Sequence, residues 1–367
     1  MTVTHDPERK EPRPMSAWAD IEQLKRLRRP IQDADLGALD GNGREIEQLV
    51  FCNIVWRGAV LSGSRLRELS FIDCDLSGAS FDGANIDSCI FTRCDLSGTR
   101  WHGARVERTA LAECKLMHSG WQDAVLSMDI LHGCDLHAAI LARSSWHRCM
   151  IGSCRLDSVS LEDASLSQSA MPSVDFRTLR VSGLRAEACV LHKACFDGMD
   201  LRAMDLRRCQ LDAASFVDTD LRDADLRESN CRQARFLRTR LRGADLSSAL
   251  LLEATLEQVD ARGLRCENLN AQSATLKNVD LSGALANQSV WNHARFSKVD
   301  FSRAALRYAH FDHASGSRLN FGRADLAYGS WHNTRFRWVN LFLSRRKRLR
   351  GTSSARLLAE QRALALS

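Results

Sequence analysis

Residues 74–98 read CDLSG ASFDG ANIDS CIFTR CDLSG, five blocks of five in which a large apolar residue always stands third and a small one first. Stepping outward by fives, the same phase holds from Ile46 to Leu341. Of the 60 central positions in that span, all but Gly316 are apolar, and 53 are Leu, Ile, Val, Met, Phe or Trp. Two residues before each centre the chain is small: 48 of the 60 such positions are Ala, Cys, Ser, Thr, Val or Gly, and only Arg44 and Asp129 are charged. A composition that is 44% hydrophobic does not by itself produce a single unbroken phase.

Residues i and i−2 lie on one side of an extended strand. A flat strand would continue that alternation, whereas here it resets every five residues, so the chain must turn a corner once per block. Glycine placement agrees: 13 of the 21 Gly, Gly78 and Gly98 among them, lie two residues after a centre, where a corner calls for positive φ. Asp or Asn often precedes the centre, where a short polar side chain can bond nearby backbone. A fixed internal period of this kind signals a solenoid.

The pattern resembles the pentapeptide-repeat family, whose consensus is roughly A-(D/N)-L-x-x. It stands openly in Ala34-Asp35-Leu36, Cys74-Asp75-Leu76, Ala224-Asp225-Leu226, Ala244-Asp245-Leu246 and Ala324-Asp325-Leu326. The resemblance implies an all-β solenoid, a right-handed quadrilateral β-helix with four blocks per coil, hence about 15 coils of 20 residues. At about 4.8 Å per coil the rod would be roughly 70 Å long. Residues 20 apart should then stack: Phe51 with Phe71 and Phe91, Phe176 with Phe196, Phe216 and Phe236, and Cys74 with Cys94, Cys114, Cys134 and Cys154. Nine of the 13 Cys occupy the small slot and two occupy centres, which makes them core filling rather than a metal-ligand pattern.

Two features depart from the consensus. Six centres are Trp (Trp56, Trp101, Trp121, Trp146, Trp291 and Trp331), and a narrow four-sided core is expected to resist indole by swelling or by turning the ring outward. Trp101, Trp121, Trp331 and Trp338 are therefore expected to serve as exposed anchors. Between Ala261 and Ala286 the centres are small while Leu264 and Leu269 fill the small slot, an exchange that conserves volume.

Solenoid ends need covering. Residues 1–15 read as disordered. Residues 16–30 read as a capping helix, Ala17–Arg29, capped by Ser16, with an apolar strip of Trp18, Ile21, Leu24 and Leu27 and a stop at Pro30. The repeat covers 31–341. Residues 342–367 read as a basic linker followed by a helix from Ser354 to Leu366 that caps the last coil or pairs with its copy in a homodimer.

Charge narrows the function. The chain holds 51 basic and 45 acidic residues, but residues 31–341 hold 37 and 39, and the excess sits in residues 342–367 with 7 basic and 1 acidic. No apolar run is long enough to span a membrane and the first 30 residues lack the apolar core of a secretory signal, so the cytoplasm is expected, with export by a dedicated secretion system as a variant. A rod with regular faces and a filled core offers no concave catalytic site, and no enzyme activity, cofactor, metal or small-molecule substrate is expected. His293 and His313 stack one coil apart, with His310 and His332 nearby, but lack a clear third ligand. Asp129 is read as marking a bulge in the coil or as bonding backbone at a corner, rather than as a buried switch. Arg202, Arg222, Arg242 and Arg262 form a ladder that neighbouring Asp residues neutralise.

The reading that remains is a non-enzymatic protein-binding scaffold. The expected partner-binding residues are Arg345, Arg346, Lys347, Arg348 and Arg350 in the basic run and Leu357, Leu358 and Leu364 on the last helix. From the resemblance, the scaffold would be an accessory or effector of a type VI or type III secretion system. A DNA-mimic regulator of gyrase or topoisomerase would need a strongly acidic rod. The third alternative is association with nucleic acid or an anionic membrane through the basic tail.

Overall fold

The computed structural model describes residues 12–366, with side chains to residue 363. Each five-residue block forms one side of a four-sided turn, and each side pairs in parallel with the residue 20 positions on, as Phe51 does with Phe71 and Phe71 with Phe91. The centres and the small slots point inward and are buried almost throughout. The corners bear out the glycine argument: φ is +70° at Gly78 and +66° at Gly98, and non-glycine residues at the same place in other blocks, such as Asp73 and Arg93, are also left-handed. The Asp before a centre bonds the corner it leads into. Asp75 Oδ1 accepts from the Ser77 N–H at 3.1 Å, and Asp95 Oδ1 from the Ser97 N–H at 3.0 Å.

The chain divides into two compact units, one reaching to Ala170 and including Thr178–Leu184, the other holding Met171–Arg177 and everything from Arg185. In the first, two adjacent sides carry regular strands, Glu45–Glu47 through Ser165–Ser167 on one and Ile31–Gln32 through Met150–Gly152 on the other. In the second, one side forms a seven-stranded parallel sheet from Ser215–Val217 to Arg335–Asn340, whose last four strands lengthen to six residues.

The solenoid is longer than the repeat count predicts. Arg345 pairs with Asp325 and Arg350 with Ser330, so residues 342–350 complete a last turn and are not a linker, giving about 16 turns. At the front, Arg13–Pro14 pairs in parallel with Ala34–Asp35, so disorder does not extend over the whole of residues 1–15; residues 1–11 lie outside the described residues. Helix α1 spans Trp18–Arg26, begins after Ala17 and has no side-chain cap, so Ser16 does not play the role expected of it. Its Trp18 meets Trp56 at 6.1 Å and donates from Nε1 to Asp40 O, and Ile21 is fully buried, but Leu27 faces solvent.

The tryptophan expectation fails for a specific reason. Trp101 and Trp121 are fully buried and stack at 4.2 Å. At four of the six Trp centres the small slot two residues earlier supplies an acceptor: Trp101 Nε1 donates to Thr99, Trp121 to Ser119, Trp146 to Ser144 and Trp291 to Ser289, at 2.7–2.9 Å, while Trp56, equally buried, has Ile54 in that slot and donates to Leu39 O at 3.2 Å. Trp331, half-buried, has Gly329 in that slot, and its Nε1 is buried without a hydrogen-bond partner. Trp338 is the one expected anchor that is fully at the surface, at 73% exposure.

Candidate functional site

The C-terminal turns gather most of the unusual chemistry. Helix α2 (Ser354–Leu366) starts at a capped end, with the Arg356 N–H donating to Ser353 Oγ. It lies against a corner built by Asp312, His313 and His332, and polar groups hold it. Arg356 donates to Asp312 at 2.8 Å and to Glu360 at 2.9 Å. Glu360 Oε2 lies 3.1 Å from His332 Nε2 and 3.4 Å from His313 Nε2. Asp312 also accepts from the Ser330 hydroxyl and the His332 N–H. Burial pushes the Asp312 carboxyl up, but these three donors outweigh it and hold it below the ordinary range. Glu360 is likewise held low by His332 and Arg356 against its desolvation. Leu357 is half-buried under this clamp, Leu358 is exposed, and the Leu364 side chain lies outside the described residues.

His313, His332 and Glu360 bring three ligand-type atoms within 4.8 Å of one another. Sequence reasoning missed Glu360 as their third member because it comes from α2. The hydrogen bonds nevertheless assign this group to docking rather than to a metal. The Ser353 N–H donates to His332 Nδ1 at 3.1 Å, so Nδ1 is the acceptor nitrogen and Nε2 carries the proton that faces Glu360. A metal on Nε2 would instead need Nδ1 to carry a proton and donate it.

The basic run belongs to the last turn. Arg345, Arg346, Lys347, Arg348 and Arg350 are all exposed and form no ion pair within the described residues, although Arg348 lies 5.9 Å from the Tyr328 ring. Residues 291–350 hold 13 basic and 3 acidic side chains, so the basic character reaches back over three turns. Phe342 and Leu343 are exposed beside the run, and Arg318 lies 5.8 Å from the Trp338 ring. Strand Arg335–Asn340 closes its sheet with one edge unpaired among the described residues.

Farther up this unit most of the ladder is neutralised. Arg202, Arg222 and Arg262 each grip the Asp two residues before, at 2.6 Å, as do Arg207 at 2.7 Å and Arg227 at 2.5 Å, whereas Arg242, the remaining rung, forms no ion pair among the described residues. The Arg222 contact, working against burial, holds Asp220 down at about 2.

The first unit presents the opposite kind of surface. On the side formed by strands Val50–Cys52, Ser70–Ile72, Ile90–Thr92, Ala110–Ala112, Ile130–His132 and Met150–Gly152, every outward side chain lacks formal charge with His neutral. Val50, Ile90, Ile130 and Met150 are 40–48% exposed along one column. The signal stands in the sequence, since residues 20 apart repeat this character, but in the side chains that the centres and small slots leave free.

Two buried features are structural. Asp129, 1% exposed, accepts from the Thr109 N–H at 2.7 Å and the Ser127 N–H at 2.9 Å, as the corner reading expects. Desolvation still pushes its carboxyl up to about 6. The Cys column stacks as expected, without a disulfide among the described residues, and its thiols donate to carbonyls of the preceding turn, as Cys94 does to Phe71 O at 3.3 Å. Burial pushes Cys89 up to about 12 and Cys149 to about 11, which makes them poor nucleophiles.

Among solved structures, the chain is similar to HetL, a pentapeptide repeat protein involved in heterocyst differentiation regulation in the cyanobacterium Nostoc sp. strain PCC 7120. The identity is 20% over 74% of this chain and 97% of that one, with a TM-score of 0.29. It is similar to full-length QnrB1, a plasmid-mediated fluoroquinolone resistance protein, at 20% identity over 50% and 91% with a TM-score of 0.30. A pentapeptide repeat protein of the Arabidopsis thaliana thylakoid lumen aligns at 25% identity over 30% and 70%, with a TM-score of 0.19. No curated protein matches. The model of a pentapeptide repeat region matches residues 64–141, and that of pentapeptide repeats in eight copies matches five segments between residues 187 and 327. With more than half of its residues under these models and each block folded as one side of a parallel turn, the chain belongs to the pentapeptide-repeat family.

Proposed function

We propose that this chain is a non-enzymatic protein-binding scaffold whose partner docks on the uncharged sheet face of the first unit. The observation that carries this is the column Val50, Ser70, Ile90, Ala110, Ile130 and Met150, uncharged over six turns of a protein in which 26% of residues are charged. Exposed contiguous apolar surface of this kind marks interaction sites. The flat side suits a protein partner with its own apolar face. The test is affinity capture from the native cell with the wild-type chain and an Ile90→Glu/Ile130→Glu variant. A partner held by the first and lost by the second supports the reading, and equal capture by both overturns it. The cytoplasm, where thiols stay reduced, is the location that fits 13 cysteines with no short metal-ligand spacing.

A second reading has its own observation. The last turn combines exposed Trp338, Phe342 and Leu343 with Arg335, Arg337 and the 345–350 cations, which favours an anionic surface, nucleic acid or membrane, over a second copy carrying the same charge. Duplex DNA and anionic vesicles are the two probes, and binding must weaken steeply with salt. Binding that Arg345→Gln/Arg348→Gln leaves unchanged removes this reading. A DNA-like acidic surface is less favoured, because the Asp columns of the second unit are engaged by Arg.

A further inference from the structure

A pocket of about 550 Å³ lies on the outer side of turns 293–335, in the second unit. Its long walls are Arg295 and Arg335, which occupy the same column two turns apart, about 10 Å at the spacing of parallel strands. Between them the column holds Ser315, so two guanidinium groups flank a short hydroxyl floor. His293, His313 and Asn333 complete the neighbouring wall, with the two imidazoles stacked at 4.8 Å.

Two observations point to one ligand chemistry. No carboxylate lines the pocket. Neither Arg295 nor Arg335 has an ion-pair partner among the described residues, whereas Arg202, Arg207, Arg222, Arg227 and Arg262 in the same unit are each gripped by an Asp. Two acids, Asp312 and Glu360, line the adjoining cavity, and both are already engaged: Asp312 by Arg356, and Glu360 by Arg356, His332 and His313.

We propose that this pocket binds the phosphate group of a small phosphorylated molecule, with Arg295 and Arg335 donating to its oxygens from opposite sides and Ser315 and Asn333 donating from the floor and wall. Planar guanidinium groups make paired, charge-assisted bonds to phosphate. The volume exceeds what a lone phosphate fills and lies in the range of small-ligand sites, which leaves room for the group that carries it. The proposal is independent of the scaffold reading, since the pocket and the apolar face lie in different units.

The test is titration of the full-length chain with inorganic phosphate and with pyrophosphate, by calorimetry at low and at physiological salt. Saturable binding is expected. It should weaken by about tenfold or more for Arg295→Gln and again for Arg335→Gln. The control is Arg235→Gln, an exposed arginine of the same column outside the pocket, which should bind as the wild type does. Both arginines of the pocket are exposed, so circular dichroism should show unchanged folding. Failure to saturate, or equal weakening in the control, overturns the proposal. So does tighter binding of duplex DNA that depends on the same two arginines, because it would assign them to a polymer.

Discussion

The indole Nε1 of Trp121 donates to Ser119 Oγ, 2.8 Å away in the core, while that same hydroxyl donates to Leu116 O at 2.7 Å. A Ser or Thr two residues before a Trp centre therefore makes a narrow turn polar enough for indole. Removing the hydroxyl leaves a buried N–H unpaired. Ser119→Ala should destabilise the first unit by about 1–3 kcal/mol in thermal or denaturant unfolding. Trp121→Phe added to Ser119→Ala should recover part of the loss, because Phe has no donor to orphan. A double variant that loses the sum of the two single losses would contradict this pairing.

Asp129 gives a pH prediction. Its folded pKa, about 6, lies above the ordinary Asp value near 3.9, so the folded state prefers the protonated form. Its contribution to stability is complete below about pH 4 and is lost as pH rises through about 6, a swing of roughly 2–3 kcal/mol. Neighbouring turns solve the same corner with neutral groups: Thr109 accepts from the Cys89 N–H and Ser169 from the Cys149 N–H. Asp129→Ser should therefore flatten that part of the stability profile between pH 4 and 7, read as the difference between wild type and variant at each pH.

The docking of helix α2 rests on few apolar contacts. Arg356→Ala removes the bonds to both Asp312 and Glu360, and amide exchange over residues 354–363 should quicken strongly while the turns beneath keep their protection. Glu360→Gln should act in the same direction but less, since an amide can still accept from His332. Unchanged exchange in both variants would mean that the helix is held by other groups.

Most of the fold was legible because the five-residue period demands a corner in every block and the family resemblance implies the four-sided coil. Phe51, Phe71 and Phe91 are stacked in the structure at 4.7 and 4.9 Å, as the 20-residue coil requires. The failures share a cause. Burial of Trp101 and Trp121 depends on a hydrogen bond from one slot to another, and a size argument about each slot alone cannot see it. Residues 342–350 read as a basic linker in the sequence, yet they form a final turn whose centre, Arg346, is exposed, because a last turn needs no buried centre on its open side. The clamp of His313, His332 and Glu360 joins positions 28 to 47 residues apart, outside any period of the repeat. The uncharged face was present in the spacing of 20, but it concerns the side chains that the repeat leaves free.

Docking of a partner on the uncharged face is tested most directly in the native cell, by a photo-crosslinking amino acid placed at Ile130 and separately at Arg202 on a salt-bridged column. A discrete protein adduct is expected from position 130 and none from position 202. An adduct from 202 with none from 130 would rule that docking out.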